Sequence, residues 1–544
     1  MKQKSFKLIR VVIALLTFIC TTFIFLDFRE LLSDGLITGI TFLQFIPSLL
    51  KFLSTTAFVA MGFLLIIVLT SLFGRVYCSM ICPLGIFQDL VGRINGRVSK
   101  KHRMRFSRPQ TFWRYFFLIL PIAILLAGGG LIGIYILDPY SIFGRITSDL
   151  GQPGYMWINN RLAGLMERMD LYLLYPEDIV LSKGITYLVP TMMILIVMWF
   201  SFKKGRLYCN TICPVGTLLG LLSKISLFKI RIVNDQCTKC GKCVAVCKSS
   251  CIDLRKQEVD FSRCVACYNC MAACPEDAIK YLPGKKGKHK ELTIAFPEPG
   301  SNGSAVRVNS GRRSTLYKLI AAPLVLSGLG SAVSGRIPGE DPDSTKSIRN
   351  KIPTKIKPDK TSPVSPPGSL GIEHFTDHCT ACHLCISACP TNVLQPSLTQ
   401  YGLTGFMQPY MDYSTRYCNF DCTRCADICP AGAILSLSKE AKKTTQIGQV
   451  KFIEDNCIVK AENTACGSCS EHCPTQAVTM VPYKDNLTIP EIKPEICVGC
   501  GACEFACPVQ PFKAIYVNGN REHQEAELPD IEELEETKME DFPF

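Results

Sequence analysis

Most of the chain's 30 cysteines fall into six runs of four. The first two runs are Cys237-x2-Cys240-x2-Cys243-x3-Cys247 and Cys264-x2-Cys267-x2-Cys270-x3-Cys274-Pro275. Three thiolates two residues apart on a loop can wrap three irons of one cubane, while the fourth, carried off on the following turn, reaches a second cubane. The spacing therefore predicts Cys237, Cys240, Cys243 and Cys274 on one [4Fe–4S] cluster, and Cys264, Cys267, Cys270 and Cys247 on its neighbour. Zinc favours two separated Cys pairs in a tetrahedron and leaves the third cysteine of each run unexplained. Cys247 is followed by Lys248 where the motif usually has proline. Cys251 is surplus and reads as a spare buried thiol or a substitute ligand.

Four further runs lie near the C-terminus. Cys379, Cys382, Cys385 and Cys389-Pro390 have the standard spacing, as do Cys497, Cys500, Cys503 and Cys507-Pro508. Cys418, Cys422, Cys425 and Cys429-Pro430 are stretched by one residue. Cys457, Cys466, Cys469 and Cys473-Pro474 carry a longer insertion. These runs predict four more cubanes, six [4Fe–4S] clusters in all, with nested and sequential pairing both open. Thiols two residues apart pair poorly as disulfides.

A third constellation repeats within the chain. Gly74-Arg75-Val76-Tyr77-Cys78-x3-Cys82-Pro83 and Gly205-Arg206-Leu207-Tyr208-Cys209-x3-Cys213-Pro214 each end an apolar run. Cysteines four apart share one side of a helical turn. Cys78, Cys82, Cys209 and Cys213 are thus expected either to converge as a redox or metal thiol site, or to be buried caps at helix ends. Cys20, inside the first apolar run, reads as packing.

The elements that position these groups follow from hydropathy. The chain has 544 residues, 48% apolar and 19% charged, with net charge +13. Its positive mean hydropathy fits a membrane protein. Apolar stretches at Leu8–Phe28, Ala57–Phe73, Trp113–Leu137 and Ile185–Phe202 approach the ~20 residues needed to cross a bilayer. Gly35–Leu53, broken by Gly39 and Pro47, reads as re-entrant or as a further span. Basic residues flank these runs, which argues against a nucleic-acid partner and puts the N-terminus and the 75–112 loop in the cytoplasm. The expected fold is an α-helical membrane domain of four main transmembrane helices, with a fifth short helix open, plus two α+β ferredoxin-like domains.

The expected domains are residues 1–232 (transmembrane), 233–283 (two clusters, cytoplasmic), 284–311 (linker) and 312–334. The last opens on Arg312-Arg313 and reads as a twin-arginine-like export signal or a membrane helix. A Pro/Lys-rich linker over 335–370, a four-cluster domain over 371–520, expected to be periplasmic, and an acidic tail over 521–544 complete the chain. The apolar runs show no chain of aromatic or metal-binding residues between the two cluster sets, so a mobile quinone is expected to connect them.

The paired Cys-x3-Cys-Pro motifs followed by a two-run ferredoxin unit resemble the NapH-type membrane ferredoxin. The four-run unit behind Arg312-Arg313 resembles its NapG-type exported partner. The chain looks like a fusion of the two, in the polyferredoxin family, over nearly all of residues 1–516. The resemblance implies an electron-transfer component of a quinol dehydrogenase in the inner membrane. It would work between the menaquinone pool and a periplasmic or membrane-associated reductase. The same membrane motif in relatives with copper-related roles implies an alternative, an accessory factor that reduces or inserts a metal. No Ser/His/Asp or paired-carboxylate arrangement points to a catalytic residue.

Overall fold

Apolar side chains fill α1 (Gln3–Leu26), and Leu8, Val12, Leu15, Leu16 and Ile19 face outward. An exposed apolar face of this size is what a helix presents to lipid. The structure is a computed structural model that describes residues 3–55, 61–98, 104–177, 179, 184–283 and 355–527.

Thirteen labelled α-helices make up the N-terminal half. After α1 come α2 (Asp34–Phe42), α3 (Phe45–Thr55), α4 (Gly62–Phe73), α5 (Tyr77–Met80) and α6 (Pro83–Val98). Next are α7 (Thr111–Leu126), α8 (Ile132–Leu137), α9 (Pro139–Arg145), a π-helical turn at Ile146–Gly151, and α10 (Gln152–Glu167). The half ends with α11 (Leu188–Lys204), α12 (Leu207–Thr211) and α13 (Pro214–Ser223).

Of the four expected spans, two are supported. Among the described residues, two helices are long and apolar enough to cross a membrane alone, Ser5–Leu26 and Gly184–Lys204. The Trp113–Leu137 run is broken, because Gly128 and Gly130 take positive φ and turn the chain between α7 and α8. α8 then packs back on α7, with Gly133 against Pro121. In the Ala57–Phe73 run the described helix is the 12-residue α4. The Gly35–Leu53 segment is a bent pair, α2 and α3, meeting at 104°. Its break falls at Leu43–Gln44; Gly39 lies within α2, and Pro47 sits in the first turn of α3 where its missing N–H costs nothing.

Two ferredoxin-like units complete the described chain. In the first, β1 (Phe228–Ile232) pairs antiparallel with β4 (Ile279–Pro283), and β2 (Ile252–Asp253) with β3 (Glu258–Val259). It therefore starts at 228, earlier than expected. In the second, β5 (Leu394–Pro396) pairs with β6 (Pro409–Met411), β8 (Val478–Pro482) with β9 (Thr488–Ile492), and β7 (Thr445–Phe452) with β10 (Ile515–Glu525).

Both edges of this second unit differ from expectation. Residues 355–370 are part of it and not linker: Val364 is buried, Lys360 pairs with Glu504, and Ile356 N–H donates to Asn456. Residues 521–525, assigned to the acidic tail, belong to β10. The 284–311 linker and the 312–334 segment, with its export signal or fifth helix, lie outside the described residues.

The two units meet opposite ends of α1. Phe6, near its start, packs on Tyr268 and Tyr281 of the first unit, at 5.7 and 6.4 Å between ring centroids. Near its other end Phe25 lies against Gly144, which touches the Cys382 carbonyl of the second. At 1.5 Å per residue these contacts are about 28 Å apart along the helix.

Candidate cluster sites and the buried thiol quartet

Four of the six cluster loops rise into a one-turn helix from a short turn made by residues in left-handed conformation. Ala266 and Tyr268 (φ +46° and +57°) bracket Cys267, and Ala381 and His383 (φ +47° and +64°) bracket Cys382. The resulting backbone aims successive N–H groups inward, a concavity suited to an anion.

Cys237, Cys240, Cys243 and Cys274 line one cavity. Cys264, Cys267 and Cys270 gather with Cys247. The C-terminal pairing, open from spacing alone, is sequential. Cys379, Cys382 and Cys385 share a cavity with Cys429, and Cys418, Cys422 and Cys425 gather with Cys389. Cys457, Cys466 and Cys469 share a cavity with Cys507, and Cys497, Cys500 and Cys503 gather with Cys473. The two halves join where Cys418 N–H donates to the Cys500 carbonyl at 3.0 Å. Among the described residues no three His, Cys, Asp or Glu side chains stand close enough to ligate one metal ion. A cubane spreads its four thiolates over separate irons, so its ligand set is wider than that of a single ion.

Cys251 is buried with its Sγ 3.6 Å from that of Cys247. Cys20 is exposed on α1, so it faces outward and is not packed as expected. Lys248, which replaces the usual proline, has a structural reason. Its Nζ meets Asp89 on α6 at 2.9 Å, and its carbonyl accepts from Arg206 N–H at 3.1 Å. It thereby ties the first ferredoxin unit to the helices.

Asp89 carries three cations, Arg10, Arg206 and Lys248. Burial alone would raise its carboxyl, but these neighbours hold it well below the usual carboxylate range.

The four thiols of the repeat are brought into one buried cluster. Cys78, Cys82, Cys209 and Cys213 are all under 5% exposed and pack in a continuous core. Each Cys-Pro step starts a helix, α6 or α13. Cys213 accepts Gly216 N–H at 3.2 Å as the N-cap, with Pro214 at the first helical position.

The repeats also bond each other. Arg75 donates to the Cys209 carbonyl at 3.2 Å, and Arg206 donates to the Cys78 carbonyl. Arg75 further reaches Asn210 at 2.8 Å, the Ser262 carbonyl at 3.2 Å and Cys78 Sγ at 3.7 Å. Each repeat's tyrosine reaches a helix break. Tyr77 meets Gln44 between α2 and α3, and Tyr208 donates to the Leu137 carbonyl between α8 and α9.

Spacing gave no sign of the next groups. Asp138 caps α9, accepting Ser141 N–H at 2.8 Å ahead of Pro139. Tyr140 and Arg145 on that helix are buried under the Cys379 cluster site. His383, inside the first C-terminal run, meets Asp149 at 2.7 Å and the Met407 carbonyl at 2.8 Å. A lone acid between apolar segments, as Asp138 and Asp149 are, is the signal that would have marked them.

Comparisons with known proteins match several segments of the chain. Residues 55–102 and 185–232 match a family described as 4Fe-4S binding domain. Residues 236–278 and 464–510 match one described as 4Fe-4S dicluster domain, and 378–434 match a second of that description. The chain is a multi-cluster iron–sulfur protein of ferredoxin type, a class whose work is electron transfer.

Several known proteins are similar to parts of the chain. It is 29% identical over 157 residues to the ferredoxin-type protein NapF of Escherichia coli (strain K12), covering 29% of this chain and 87% of NapF. It is 31% identical over 154 residues to the methylamine utilization ferredoxin-type protein MauM of Methylophilus methylotrophus, 27% of this chain and 66% of MauM. To the ferredoxin-type protein NapG of Escherichia coli (strain K12) it is 26% identical over 156 residues, 27% of this chain and 66% of NapG. No solved structure matches the chain.

Proposed function

We propose that the chain is a multi-pass inner-membrane electron-transfer protein carrying six [4Fe–4S] clusters, a fusion of NapH-like and NapG-like parts. It passes electrons between menaquinol and a periplasmic or membrane-associated reductase. The 237–274 clusters are the cytoplasmic set, and those between Cys379 and Cys507 the periplasmic set. One observation carries the reading: the two ferredoxin units contact opposite ends of α1, about 28 Å apart. That is close to the ~30 Å hydrocarbon core of a bilayer. The helices supply insulation and placement; the clusters supply one-electron chemistry when bound.

Two measurements test this. Full-length anaerobic protein in detergent should show cluster signals by electron paramagnetic resonance after addition of a menaquinol analogue. No reduction would remove the quinol link. Protease added to intact spheroplasts should cut between residues 338 and 354. Complete protection until lysis would place the C-terminal unit inside.

A further inference from the structure

Of the cysteines in the six runs, Cys240 alone is exposed; the others are buried or half-buried. The 237/240/243/274 site thus opens to solvent through Cys240. That residue stands in the wall of a cleft of about 1650 Å³. The other walls are the rest of the cluster loop up to residue 246, the turn between β2 and β3, and residues 104–109 ahead of α7. Ser107 N–H donates to the Ser250 carbonyl at 3.2 Å, and Arg263 Nη1 donates to the Ser107 carbonyl at 2.8 Å. Residues 104–109 are therefore fastened to the ferredoxin unit, and the cleft has fixed walls.

Its charge is one-sided. Arg105, Arg108, Lys242, Arg255 and Lys256 line it, and all five are exposed. None of them pairs with a carboxylate among the described residues. Asp253 is the one acid in the described lining, and its Oδ1 already accepts the backbone N–H groups of Arg255 and Lys256, at 2.9 and 3.4 Å. Glu276 lines the ligand cavity of the same cysteines but not the cleft.

Size and charge together decide the class of occupant. Small-molecule sites are typically about 300–1,000 Å³, and this cleft is larger. Five unneutralised cations beside an exposed cluster ligand suit a protein with an acidic face. Opposite potentials steer such partners together at up to about 10⁸–10⁹ M⁻¹s⁻¹ at low salt, against roughly 10⁵–10⁶ without steering. Anionic lipid would also meet the charge. However, Lys242, Arg255 and Lys256 belong to the ferredoxin unit and surround a redox ligand, which a headgroup does not use.

The geometry points to this cleft as the docking site of a small acidic electron-carrier protein, which exchanges single electrons with a cubane held by Cys237, Cys240, Cys243 and Cys274. The inference rests on the reading that these cysteines hold a cluster, and it gives that cluster a soluble partner distinct from the quinone pool. The balance is simple. The carrier is oxidised as the cluster is reduced, or the reverse; one electron moves, and no bond or proton changes. Arg255 and Lys256 are positioning residues that hold the carrier over Cys240.

The test uses full-length anaerobic protein in detergent, with a plant-type [2Fe–2S] ferredoxin as the acidic probe. Binding is read by titration calorimetry. Electron exchange is read by stopped-flow absorbance, once from reduced probe and once from dithionite-reduced chain freed of excess dithionite. Both should weaken by about ten-fold or more from about 0.01 M to about 0.1 M salt, as the screening length shortens from about 30 Å to about 10 Å. Arg255→Glu/Lys256→Glu should lose about ten-fold or more in both at low salt, with iron content unchanged. Lys229→Glu/Arg231→Glu makes an equal charge change on β1, outside the cleft, and should stay near wild type. Equal losses in the two double variants would reduce the effect to net charge and overturn the inference. So would absent or salt-independent binding by wild type, or no exchange in either direction. Protein in phosphatidylcholine vesicles with and without phosphatidylglycerol separates the lipid: if the anionic lipid blocks the probe as fully as the Arg255 and Lys256 changes, the cleft belongs to headgroups. Should Arg255→Glu/Lys256→Glu not fold, Arg255→Gln/Lys256→Gln and the wild-type salt dependence decide. Iron content and the paramagnetic signals of dithionite-reduced protein are measured alongside, so failure of the cluster reading is told apart from failure of the docking face.

Discussion

Arg75 of the first repeat donates to the carbonyl of Cys209 in the second, at 3.2 Å. The reciprocal bond runs from Arg206 to the carbonyl of Cys78. Neither repeat completes its own turn; each is finished by an arginine from the other. The close approach needs glycine. A Cβ at Gly85 would collide with the Cys78 carbonyl and Arg206, and one at Gly216 with the Cys209 carbonyl and Arg75.

The alanine variants follow from that geometry. Gly85→Ala and Gly216→Ala should each destabilise the helical domain by about 1–3 kcal/mol through overpacking. Thermal unfolding in detergent would read this as a lowered midpoint. Midpoints equal to wild type would mean that the crossed arginine bonds are not closely held.

Iron should account for both ferredoxin units. Six cubanes would bring about 24 iron atoms per chain. Chelation should unfold both units, because cluster binding energy is folding energy in small metallo-domains. Cys251→Ala should keep full iron if Cys247 is the ligand. Loss of four irons in that variant would transfer the role to Cys251.

The His383–Asp149 pair fastens the C-terminal unit to the helices. His383 is 0% exposed, with Nε2 at 2.8 Å from the Met407 carbonyl and Nδ1 at 2.7 Å from the Asp149 carboxyl. Removing one partner of such a pair leaves a buried group unsatisfied, at about 1–3 kcal/mol. Asp149→Ala should therefore loosen the unit and expose the 379–429 loops to limited proteolysis. An unchanged digestion pattern would assign the docking to the other contacts, Gln152 on Ser387 and Tyr135 on Thr404.

Acid should loosen a strap on the same unit. Burial pushes His523 on β10 down to about 4, and its Nε2 meets Ser365 Oγ at 2.9 Å. The native state holds this imidazole neutral, while the unfolded chain takes up a proton near pH 6.5. Stability is thus full above that pH and falls as pH drops towards 4, by on the order of 2 kcal/mol. Amide protection factors across 515–525, corrected for the intrinsic pH dependence of exchange, should fall between pH 7 and pH 5, and His523→Gln should flatten the change. Equal pH dependence in both proteins would refute it.

What the sequence made legible was local. Run spacing predicted which cysteines of the first unit gather together, because the loop is a short stretch with fixed reach. Helix continuity was less readable. The apolar count over Trp113–Leu137 says nothing of Gly128 and Gly130 turning the chain. Long-range charge was hidden too: Arg10, Asp89, Arg206 and Lys248 come from four segments, and spacing within any one is uninformative. Sequential pairing of the C-terminal runs needed the fold, since linker lengths permit either order.

The contact between Gly144 and the carbonyl of Cys382 bears on manufacture. That carbonyl belongs to a cluster loop, and α9 closes over it with Tyr140 and Arg145 buried behind. A scaffold delivering iron and sulfide needs an open loop. The closed packing predicts that the C-terminal unit is loaded while still free, before α9 docks on it.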